Sequence, residues 1–471
     1  MTFLLKKFPN TKTPPSVSKA KGSYVYLENG KRYLDATGGW TAYATLGYCN
    51  DRILEAMQRQ MQKFTHIDYN IWNNPMIEEL AQTLLNHATN DLDKVYFGGT
   101  SGSDAIEAAL KLSYQVHHDN NKPTKTKYIC RDQSFNGATL HSISTSDLPI
   151  LDIYNPLLPK NIIKVSQHNP YTICSHDPKN TSTKKNSYRM GMYAGETNEA
   201  YLKRCLKEIE DAIINEGPDN ICAFVGETIL GSLVGDVPAL KGYWSGISKI
   251  CEKYDIHIIL DEVYCGMGRS GKIFNYSWDD FSPDFVCVGK NMTSGHTPLS
   301  AIITKSKFEE IIANGSGRIQ LGHTFQGYSL GIAACLEYMK IIDENDLMTR
   351  VTEKGKYMTS TLTSELSNNE FFKNIRGRGF QFALEHSCNN NALFGISLQK
   401  KMLEDHNIMI NSKWHRTSFN PPFIFTDNEI DELLEKFILT FKELSNNWDL
   451  ISTKMDISQV PKSMGGVAKD K

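Results

Sequence analysis

Two short apolar runs, each ending on a charged residue, constrain the fold of this 471-residue chain more than any other feature. The run 256–260 (IHIIL) ends on Asp261, and the run 285–289 (FVCVG) ends on Lys290. Short apolar runs bounded by turn signals are typical of buried strands in a parallel sheet. Because open α/β sheets bind ligands at the carboxyl ends of their strands, we expect this acid and this lysine to lie at a binding site.

Pyridoxal phosphate is the cofactor that requires both groups. Its aldehyde forms a Schiff base with a lysine, and its pyridine nitrogen stays protonated beside a carboxylate. Taken singly, Lys290 would be explained better as a surface lysine and Asp261 as a helix cap. Because both follow strand-like runs, the pair favours a cofactor site with Lys290 and Asp261 as its catalytic residues.

The composition is that of an ordinary globular protein and excludes several classes of function. Hydrophobic residues make up 40% and charged residues 22% of the chain, whose formal net charge is −2. This charge gives no electrostatic attraction to nucleic acid or to an anionic membrane. No run approaches the roughly 20 apolar residues of a membrane helix. We therefore expect small-molecule partners, with no nucleic acid and no membrane.

Ten cysteines are scattered along the chain without a Cys-x-x-Cys pair. This pattern is typical of reduced thiols in a cytosolic protein rather than of a disulfide framework or a zinc site, so we expect no metal. The apolar part of the opening residues is too short for a signal peptide. These features predict a soluble, cytoplasmic protein.

The chain is too long for one hydrophobic core, and its pattern changes predict four parts. Residues 1–60 are an arm and a hairpin around Asn29-Gly30 that contribute to a smaller domain. Residues 61–335 alternate helices with short apolar runs, which predicts a large α/β domain with a mainly parallel sheet. Residues 336–450 predict a smaller α/β domain, and the polar tail 451–471 is expected to be disordered. The apolar runs of the large domain are 94–97, 127–130, 221–225, 256–260, 285–288 and 300–303.

A glycine- and serine-rich turn, residues 97–105 (FGGTSGSDA), follows one apolar run and opens a helix. Free backbone N–H groups and the positive end of the helix dipole make such a turn a phosphate cradle, with Gly102 and Ser103 as candidates. A plain helix N-cap gives the same pattern. The cradle is favoured because it precedes the acid and the lysine in chain order.

A second turn, Phe135-Asn136-Gly137, follows the run that ends at Cys130. Its aromatic ring could stack on a planar pyridine ring, and its glycine permits close backbone approach. Without the other motifs, a core phenylalanine beside a turn would explain the pattern better. Val263, two residues after Asp261, is the candidate for covering the opposite face of the ring.

These motifs, in this order, resemble the class III pyridoxal-phosphate-dependent aminotransferases of fold type I. The resemblance covers roughly residues 20–445, and residues 242–247 (GYWSGI) resemble the ω-aminotransferase branch. No single stretch would suffice, but the combination is a strong match. The most specific stretches are 33–35 (YLD) with Gly38-Gly39, 100–112, 260–263 (LDEV) with 266–271, Pro283-Asp284 with Gly289-Lys290, and 323–327 (HTFQG).

The resemblance implies a large domain with a mainly parallel seven-stranded sheet, a smaller α/β domain, and a homodimer with its active site at the interface. Whether two dimers form a tetramer stays open. By resemblance, Lys290 holds the cofactor covalently and moves the proton, and Asp261 pairs with the pyridine nitrogen. Gly102 and Ser103 bind the phosphate, and Thr324 reaches the phosphate of the neighbouring subunit. The remaining implied cofactor contacts are Phe135, Asn136, Gly137, Glu227 and Val263.

The chain departs from the family's pattern at several positions. Phe135-Asn136 stands where Tyr-His is usual, which keeps an aromatic ring and loses a hydroxyl group. Thr228, rather than proline, follows Glu227.

Substrate recognition carries the largest departure. Asn411 stands where many relatives have a mobile arginine for a substrate carboxylate, and the nearest arginine is Arg416. Arg416 is either a substitute for that arginine or a surface or interface residue. Trp40 and Tyr43 suggest an apolar or aromatic-lined donor site, although aromatic residues after Gly-Gly are also common in cores.

The resemblance implies transfer of an amino group from an amine or ω-amino acid to a 2-oxo acid, such as pyruvate or 2-oxoglutarate, by a ping-pong mechanism. A racemase, aminomutase or decarboxylase on the same fold is the alternative. A catalytically silent binding protein is a third hypothesis, against which Lys290 and Asp261 together argue. Measurement of amino-group transfer separates the first two.

Overall fold

The described chain divides into two compact units. One consists of Asp51–Arg350, and the other combines Met1–Asn50 with Val351–Lys471. Most of the expected polar tail, residues 453–471, lies outside the described residues. Among the residues placed by the structure, no helix is both long and apolar enough to cross a bilayer. The computed structural model describes residues 3–6, 13–89, 91–174, 191–231, 234–387 and 391–452.

A seven-stranded sheet organises the unit Asp51–Arg350. Six of its strands run in the same direction, and Ser300–Thr304 runs antiparallel to both of its neighbours. The predicted α/β class with a mainly parallel seven-stranded sheet is confirmed. Of the seven strands, only Ile162–Val165 at the sheet edge was not marked by an apolar run. In spatial order the strands are Lys94–Gly99, Ser300–Thr304, Phe285–Val288, His257–Asp261, Ile221–Glu227, Lys127–Arg131 and Ile162–Val165.

The central strands are buried because helices cover the sheet. Every residue of His257–Asp261 and of Phe285–Val288 is buried. The helix Gly102–Asp119 packs Ala109 into the same core cluster as Phe285. Strands covered on both faces need continuous apolar runs, which is why these runs were visible in the sequence. The helices of this unit are Asp51–Lys63, Pro75–Leu85, Gly102–Asp119, Leu140–Thr145, Asn198–Glu216, Tyr243–Lys253, Ser306–Asn314 and Ser329–Glu344, and its short strand pairs are Ile173–Cys174 with Met192–Tyr193 and Ile229–Leu230 with Val237–Pro238.

The register of the parallel strands brings several polar residues to one edge of this sheet. Asp261 is paired with Glu227 on one side and with Cys287 on the other. Lys290 follows closely after Val288, the last residue of the neighbouring strand. Because parallel strands end at the same edge, the acid and the lysine lie together there.

The unit of Met1–Asn50 and Val351–Lys471 contains two four-stranded sheets. The first includes the predicted hairpin, in which Tyr24–Leu27 pairs with Arg32–Asp35 around Asn29-Gly30. The hairpin is confirmed, and its glycine has the positive φ of 85° that such a turn requires. The remaining strands of the first sheet are Val17–Lys21 and Ile408–Met409, and the second sheet has the order Phe372–Arg378, Gln381–His386, Arg416–Phe419 and Asn411–Lys413. The helices of residues 347–452 are Leu347–Leu366, Asn391–Asp405, Asp427–Asn446 and Trp448–Ser452.

Candidate active site

Lys290 begins the turn that follows the buried strand Phe285–Val288. Its backbone φ is 29°, in the positive region that residues with a side chain rarely adopt. A Cβ atom on Gly289 would lie 3.2 Å from the amide nitrogen of Gly102. The strained turn and the close approach to Gly102 fix where the Lys290 side chain starts. Backbone strain of this kind is concentrated at functional sites.

The amine of Lys290 lies among buried groups. Desolvation lowers the pKa of the Lys290 ammonium group, while the negative charges of Asp261 and Glu227 oppose this shift. The Nζ atom lies 4.8 Å from the ring centre of Tyr264, a contact that sequence reasoning missed. A lysine with a lowered pKa supplies more neutral amine near neutral pH, which suits a nucleophile or a base.

Asp261 is a buried carboxylate, with 6% of its surface exposed. The backbone N–H of Val263 donates to its Oδ1 atom at 3.0 Å. Burial raises the pKa of Asp261 to about 6, and the Val263 amide and the charge of Lys290 act in the opposite direction. A carboxyl group whose pKa is raised by desolvation has too little positive charge nearby, and a protonated ring nitrogen would supply that charge.

Glu227 ends the strand next to that of Asp261. Its Oε1 atom accepts a hydrogen bond from the Phe135 N–H at 3.3 Å, and its Oε2 atom accepts one from the Gly231 N–H at 2.9 Å. Burial and the charge of Asp261 raise the pKa of Glu227 to about 7. The carboxyl group therefore holds the start of the Phe135 turn against the sheet edge.

Arg131 is a buried cation beside Glu227 that the sequence reasoning also missed. It donates from Nη2 to the Glu227 carbonyl oxygen at 2.5 Å, and its guanidinium carbon lies 5.4 Å from the ring centre of Trp244. Its charge lowers the pKa of Glu227 and so opposes the effect of burial. The signal that identified Asp261 and Lys290 could have found it, because Arg131 directly follows the apolar run 127–130.

The candidate phosphate cradle heads the helix that begins at Gly102. The Asp104 N–H donates to Ser101 Oγ at 3.3 Å, and the Ser101 N–H donates to Asp104 Oδ2 at 2.9 Å, which forms a capping box. Gly102 and Ser103 lie in the first turn, where backbone N–H groups have no intrahelical acceptor. A Cβ atom at Gly102 would lie 2.4 Å from Val263 Cγ1, so this position requires glycine and the cradle lies directly against Val263.

The Phe135 turn is tied to the cradle. The Ala138 N–H donates to Ser103 Oγ at 3.0 Å, and the Phe135 N–H is held by Glu227. Phe135 is 41% exposed, so it is not a core phenylalanine beside a turn, which was the alternative explanation of this motif. An exposed ring fixed beside buried carboxyl groups offers a surface for a planar ligand.

Asn136 and Gly137 shape the same turn. The Asn136 N–H donates to Ser146 Oγ at 2.8 Å, and its Nδ2 atom donates to the Thr145 carbonyl oxygen at 3.0 Å. The buried Asn136 Oδ1 atom has no hydrogen-bond partner within the described ranges. Gly137 has a φ of 136°, and a Cβ atom there would lie 2.5 Å from Ser142 Oγ, so glycine is required.

Thr324 lies on an exposed loop of the same unit. Its carbonyl oxygen accepts a hydrogen bond from His66 Nε2 at 2.7 Å. The ring of His66 also lies 5.5 Å from that of Phe325, which is 45% exposed. The loop is thus anchored through its backbone and presents Thr324 and Phe325 outwards.

Trp40 and Tyr43 belong to the unit of residues 1–50 and 351–471. Trp40 has a φ of 61°, and its ring centre lies 4.9 Å from Lys413 Nζ. Gly39, with a φ of 85°, packs against Tyr43, since a Cβ atom there would lie 2.6 Å from Tyr43 Cζ. The Gly-Gly sequence therefore turns the backbone sharply and places Trp40 partly in solvent.

Arg416 also belongs to that unit and is buried, with 6% exposure. Its guanidinium carbon lies 5.5 Å from the ring centre of Trp414, and its backbone is paired with Glu385. Asn411 lies on the adjacent strand, where it is paired with Ser418. The burial of Arg416 argues against the alternative in which it is an exposed surface arginine.

The groups around Lys290 fit pyridoxal phosphate. The buried amine of Lys290 has a lowered pKa, which suits the covalent anchor of the cofactor. The buried carboxyl group of Asp261 has a raised pKa, which suits the partner of a cationic ring. The helix start at Gly102 packs against Val263, and the exposed ring of Phe135 belongs to a turn that is hydrogen-bonded to Glu227. These are the charges and surfaces of a planar, phosphorylated, cationic cofactor.

Comparisons with known proteins agree with this fit. The family model Aminotransferase class-III matches residues 8–441. An aminotransferase of Gibberella zeae is 34% identical over 383 residues, which are 80% of this chain and 71% of that protein. Gamma aminobutyrate transaminase 3, chloroplastic, of Solanum lycopersicum is 30% identical over 463 residues, which are 94% of this chain and 84% of that protein.

Solved structures give the same result. The ω-transaminase of Pseudomonas jessenii in complex with PMP superposes with a TM-score of 0.82 at 28% identity, over 92% of this chain and 93% of that one. A transaminase from ancestral reconstruction has the same TM-score at 26% identity. The chain belongs to the class III aminotransferases, and it is a pyridoxal-phosphate-dependent transaminase of fold type I.

Proposed function

We propose that this transaminase moves an amino group from an amine or ω-amino acid to a 2-oxo acid, such as pyruvate or 2-oxoglutarate, in two half-reactions of a ping-pong cycle. The observation that carries the proposal is that Lys290 and Asp261 lie at one buried sheet edge, where the charge of each shifts the pKa of the other. Relatives that support the donor class include a gamma aminobutyrate transaminase and a vanillin aminotransferase of Capsicum frutescens, which is 30% identical over 91% of this chain.

Lys290 is the proposed covalent anchor and proton carrier. Its lowered pKa favours a neutral amine, which would hold the cofactor and would accept a proton from the substrate carbon. Asp261 is the proposed partner of the ring nitrogen, since its burial leaves it in need of positive charge. The bound cofactor supplies an electron sink for the bond that breaks.

The other cofactor contacts are proposed from the same geometry. Gly102 and Ser103 would bind the phosphate with backbone N–H groups and a hydroxyl group. Phe135 would cover one ring face and Val263 the other, while Glu227 holds the Phe135 turn in place. Asn136 and Gly137 would shape that turn so that the ring can approach, which is consistent with their hydrogen bonds and tight packing.

Substrate binding is proposed for Trp40, Tyr43 and Arg416. The partly exposed ring of Trp40 supports an aromatic-lined donor site. Asn411 stands where many relatives have a carboxylate-binding arginine, and the buried cation Arg416 is proposed to take over that role.

The proposed domain division remains 1–60, 61–335, 336–450 and 451–471.

We further propose a homodimer in the cytoplasm, with its active site shared between subunits. The exposed, anchored loop of Thr324 supports this assembly because it offers a polar side chain to a second chain. A tetramer would be built from two such dimers. Relatives include chloroplastic and mitochondrial forms, so fractionation of the native cells is the test of the location.

A panel of donors tests the proposed chemistry. The purified, cofactor-loaded chain is mixed with amines and ω-amino acids in the absence of an acceptor, and the absorbance change that accompanies transfer to the cofactor is followed. Pyruvate or 2-oxoglutarate is then added, and the aminated product is measured. Amino-group transfer supports the proposal, whereas product that retains the donor's own amino group would support the racemase, aminomutase or decarboxylase alternative.

A further inference from the structure

Tyr264 faces the amine of Lys290. The Nζ atom lies 4.8 Å from the centre of the Tyr264 ring, within the range of about 6 Å over which an ammonium group is attracted to an aromatic face. Tyr264 is not among the cofactor contacts that the family resemblance implies. Tyr264 follows directly after Val263, so its backbone lies at the same sheet edge as Asp261.

Hydrogen bonds and packing hold the segment that carries the Tyr264 ring. Asn291, the residue after Lys290, donates from Nδ2 to the Tyr264 carbonyl oxygen at 3.2 Å and to the Gly266 carbonyl oxygen at 3.0 Å. A Cβ atom on Gly231 would lie 3.9 Å from Tyr264 Cδ1, so the ring has a neighbour on that side. The segment that carries the ring is therefore hydrogen-bonded to the segment that carries the lysine.

The other groups that act on the amine are ionisable. Asp261 and Glu227 lie on the two adjacent strand ends, and the thiol of Cys265 lies one residue beyond Tyr264. All three favour the charged form of the amine, while desolvation opposes it. An aromatic face adds an attraction for the ammonium form that needs no further buried charge. It also gives Nζ a preferred direction, because the attraction is strongest above the ring centre.

We propose that Tyr264 is a positioning residue whose ring face holds the amine of Lys290 between the carboxyl groups of Asp261 and Glu227 whenever the lysine carries no cofactor. The inference rests on the proposed role of Lys290 as the covalent anchor. The aromatic ring, rather than the hydroxyl group, carries the effect. Phenylalanine can therefore replace Tyr264, and an aliphatic residue cannot.

The test measures the apparent pKa of Lys290 itself. The full-length, cofactor-free chain is reductively methylated with formaldehyde and cyanoborohydride over a series of pH values, and the modification of the Lys290 peptide is followed by mass spectrometry. Loss of the ring removes an attraction for the ammonium form, so Tyr264→Leu should lower the apparent pKa of Lys290 by about one unit. Tyr264→Phe should leave it close to the wild-type value.

A matched control uses a lysine–tyrosine contact of the same kind elsewhere in the unit. Lys253 Nζ lies 4.8 Å from the ring centre of Tyr254, which is the same separation at the protein surface. Tyr254→Leu should leave the apparent pKa of Lys290 unchanged. Circular dichroism and thermal unfolding establish that each variant is folded, and Tyr264→Met serves as the second ring-free variant if Tyr264→Leu does not fold.

The outcomes separate this inference from the proposed function. An unchanged pKa of Lys290 in the folded ring-free variant would overturn the role of Tyr264, and so would an equal shift in Tyr264→Phe or in Tyr254→Leu. Addition of pyridoxal phosphate to the wild-type chain should protect Lys290 from methylation. Absence of that protection would contradict the anchoring role of Lys290, whatever the Tyr264 variants show.

Discussion

Asp261 and Glu227 occupy directly paired positions at the ends of two adjacent parallel strands, and both are buried. Burial raises the pKa of Asp261 to about 6 and that of Glu227 to about 7, and the charge of Asp261 contributes to the second shift. The amine of Lys290 is desolvated beside them. The site therefore favours a ligand that brings positive charge, which the pyridinium ring of the cofactor does.

Replacement of Lys290 by alanine should abolish turnover while the chain stays folded. The change removes the covalent anchor and the base together, so we expect a loss of about 10⁴-fold or more in kcat. Turnover, the cofactor absorbance spectrum and thermal unfolding are measured on the same samples. The control is Lys253→Ala, which removes an exposed lysine that pairs with Glu210. Near wild-type turnover by Lys290→Ala on any accepted donor would refute the assignment.

Asp261→Asn should retain some cofactor and slow proton abstraction strongly. The amide has nearly the same shape as the carboxylate but cannot provide the counter-charge of a protonated ring nitrogen. Single-turnover rates and the pH dependence of the cofactor spectrum report the change. Asp255→Asn, at an exposed ion pair with Lys122, is the matched control. An Asp261→Asn variant with full activity and an unchanged spectrum would make Asp261 a structural residue only.

Glu227→Gln should change how the stability of the cofactor-free chain depends on pH. An acid with a raised folded-state pKa binds its proton more tightly in the folded chain than in the unfolded chain. Its contribution to folding stability is therefore fully present below the unfolded pKa and is lost as the pH rises toward about 7. Glutamine resembles the protonated acid and avoids this loss. The variant should therefore gain roughly 2–3 kcal/mol relative to wild type between pH 5 and pH 8.

Denaturant unfolding at several pH values measures this difference, and Glu199→Gln on an exposed helix face is the control. The comparison with wild type is needed because burial lowers the pKa values of His117, His168 and His386, which gives the stability a pH dependence of the opposite sign below about pH 6.5. A difference in unfolding free energy that does not change with pH would show that Glu227 is ionised in both states.

The residues whose environment was predictable from sequence are those marked by local patterns. Asp261 and Lys290 each follow a continuous apolar run, which two covered sheet faces produce, and the turn at Gly102 joins a strand to a helix. The hairpin at Asn29-Gly30 is likewise a local signal. These patterns depend on neighbours in the sequence, so the sequence contains the necessary information.

Other contacts depend on strand register and packing across the sheet. Arg131 reaches the Glu227 carbonyl oxygen because two parallel strands end side by side, and Tyr264 meets Lys290 because the segments after two different strands converge. The apolar run before Arg131 marks a strand end, but no spacing along the chain encodes which groups Arg131 or Tyr264 contacts. The edge strand Ile162–Val165 was missed for a related reason, because an edge strand with a lysine lacks the continuous apolar run of a central strand.

His117 and His257 form a buried stack whose rings are 3.9 Å apart between centres, and this stack should make the chain sensitive to acid. Desolvation lowers the pKa of His117 to about 4. A histidine with a lowered folded-state pKa contributes stability that is present above the unfolded value of about 6.5 and is lost as the pH falls toward 4. When the pH falls from 7 to 4, the unfolding free energy should therefore decrease by about 3 kcal/mol less in His117→Gln than in wild type.

Urea unfolding across this range tests the effect. His118→Gln, which changes the exposed neighbouring histidine, should follow the wild-type curve. Parallel curves for wild type and His117→Gln would show that the pKa of His117 is not lowered in the folded chain.

Thr324 should act across a subunit boundary. Its side chain is exposed on a loop held by His66, and the family resemblance places this threonine against the cofactor phosphate of a second chain. A phosphate shared between two chains links dimerisation to cofactor binding, so that each strengthens the other. Thr324→Ala removes one hydrogen bond to a charged group and should weaken cofactor affinity by roughly 1–2 kcal/mol.

The dimer of the Thr324→Ala variant should be weakened in the cofactor-loaded form only, because the lost contact exists only when the phosphate is present. Light scattering and cofactor titration on the same samples measure both quantities. Thr83→Ala, at a half-buried helix position of the same unit, controls for the loss of a threonine hydroxyl group. An active monomer, or a variant whose dimer is weakened equally with and without cofactor, would refute the shared site, because linkage requires the two equilibria to change together.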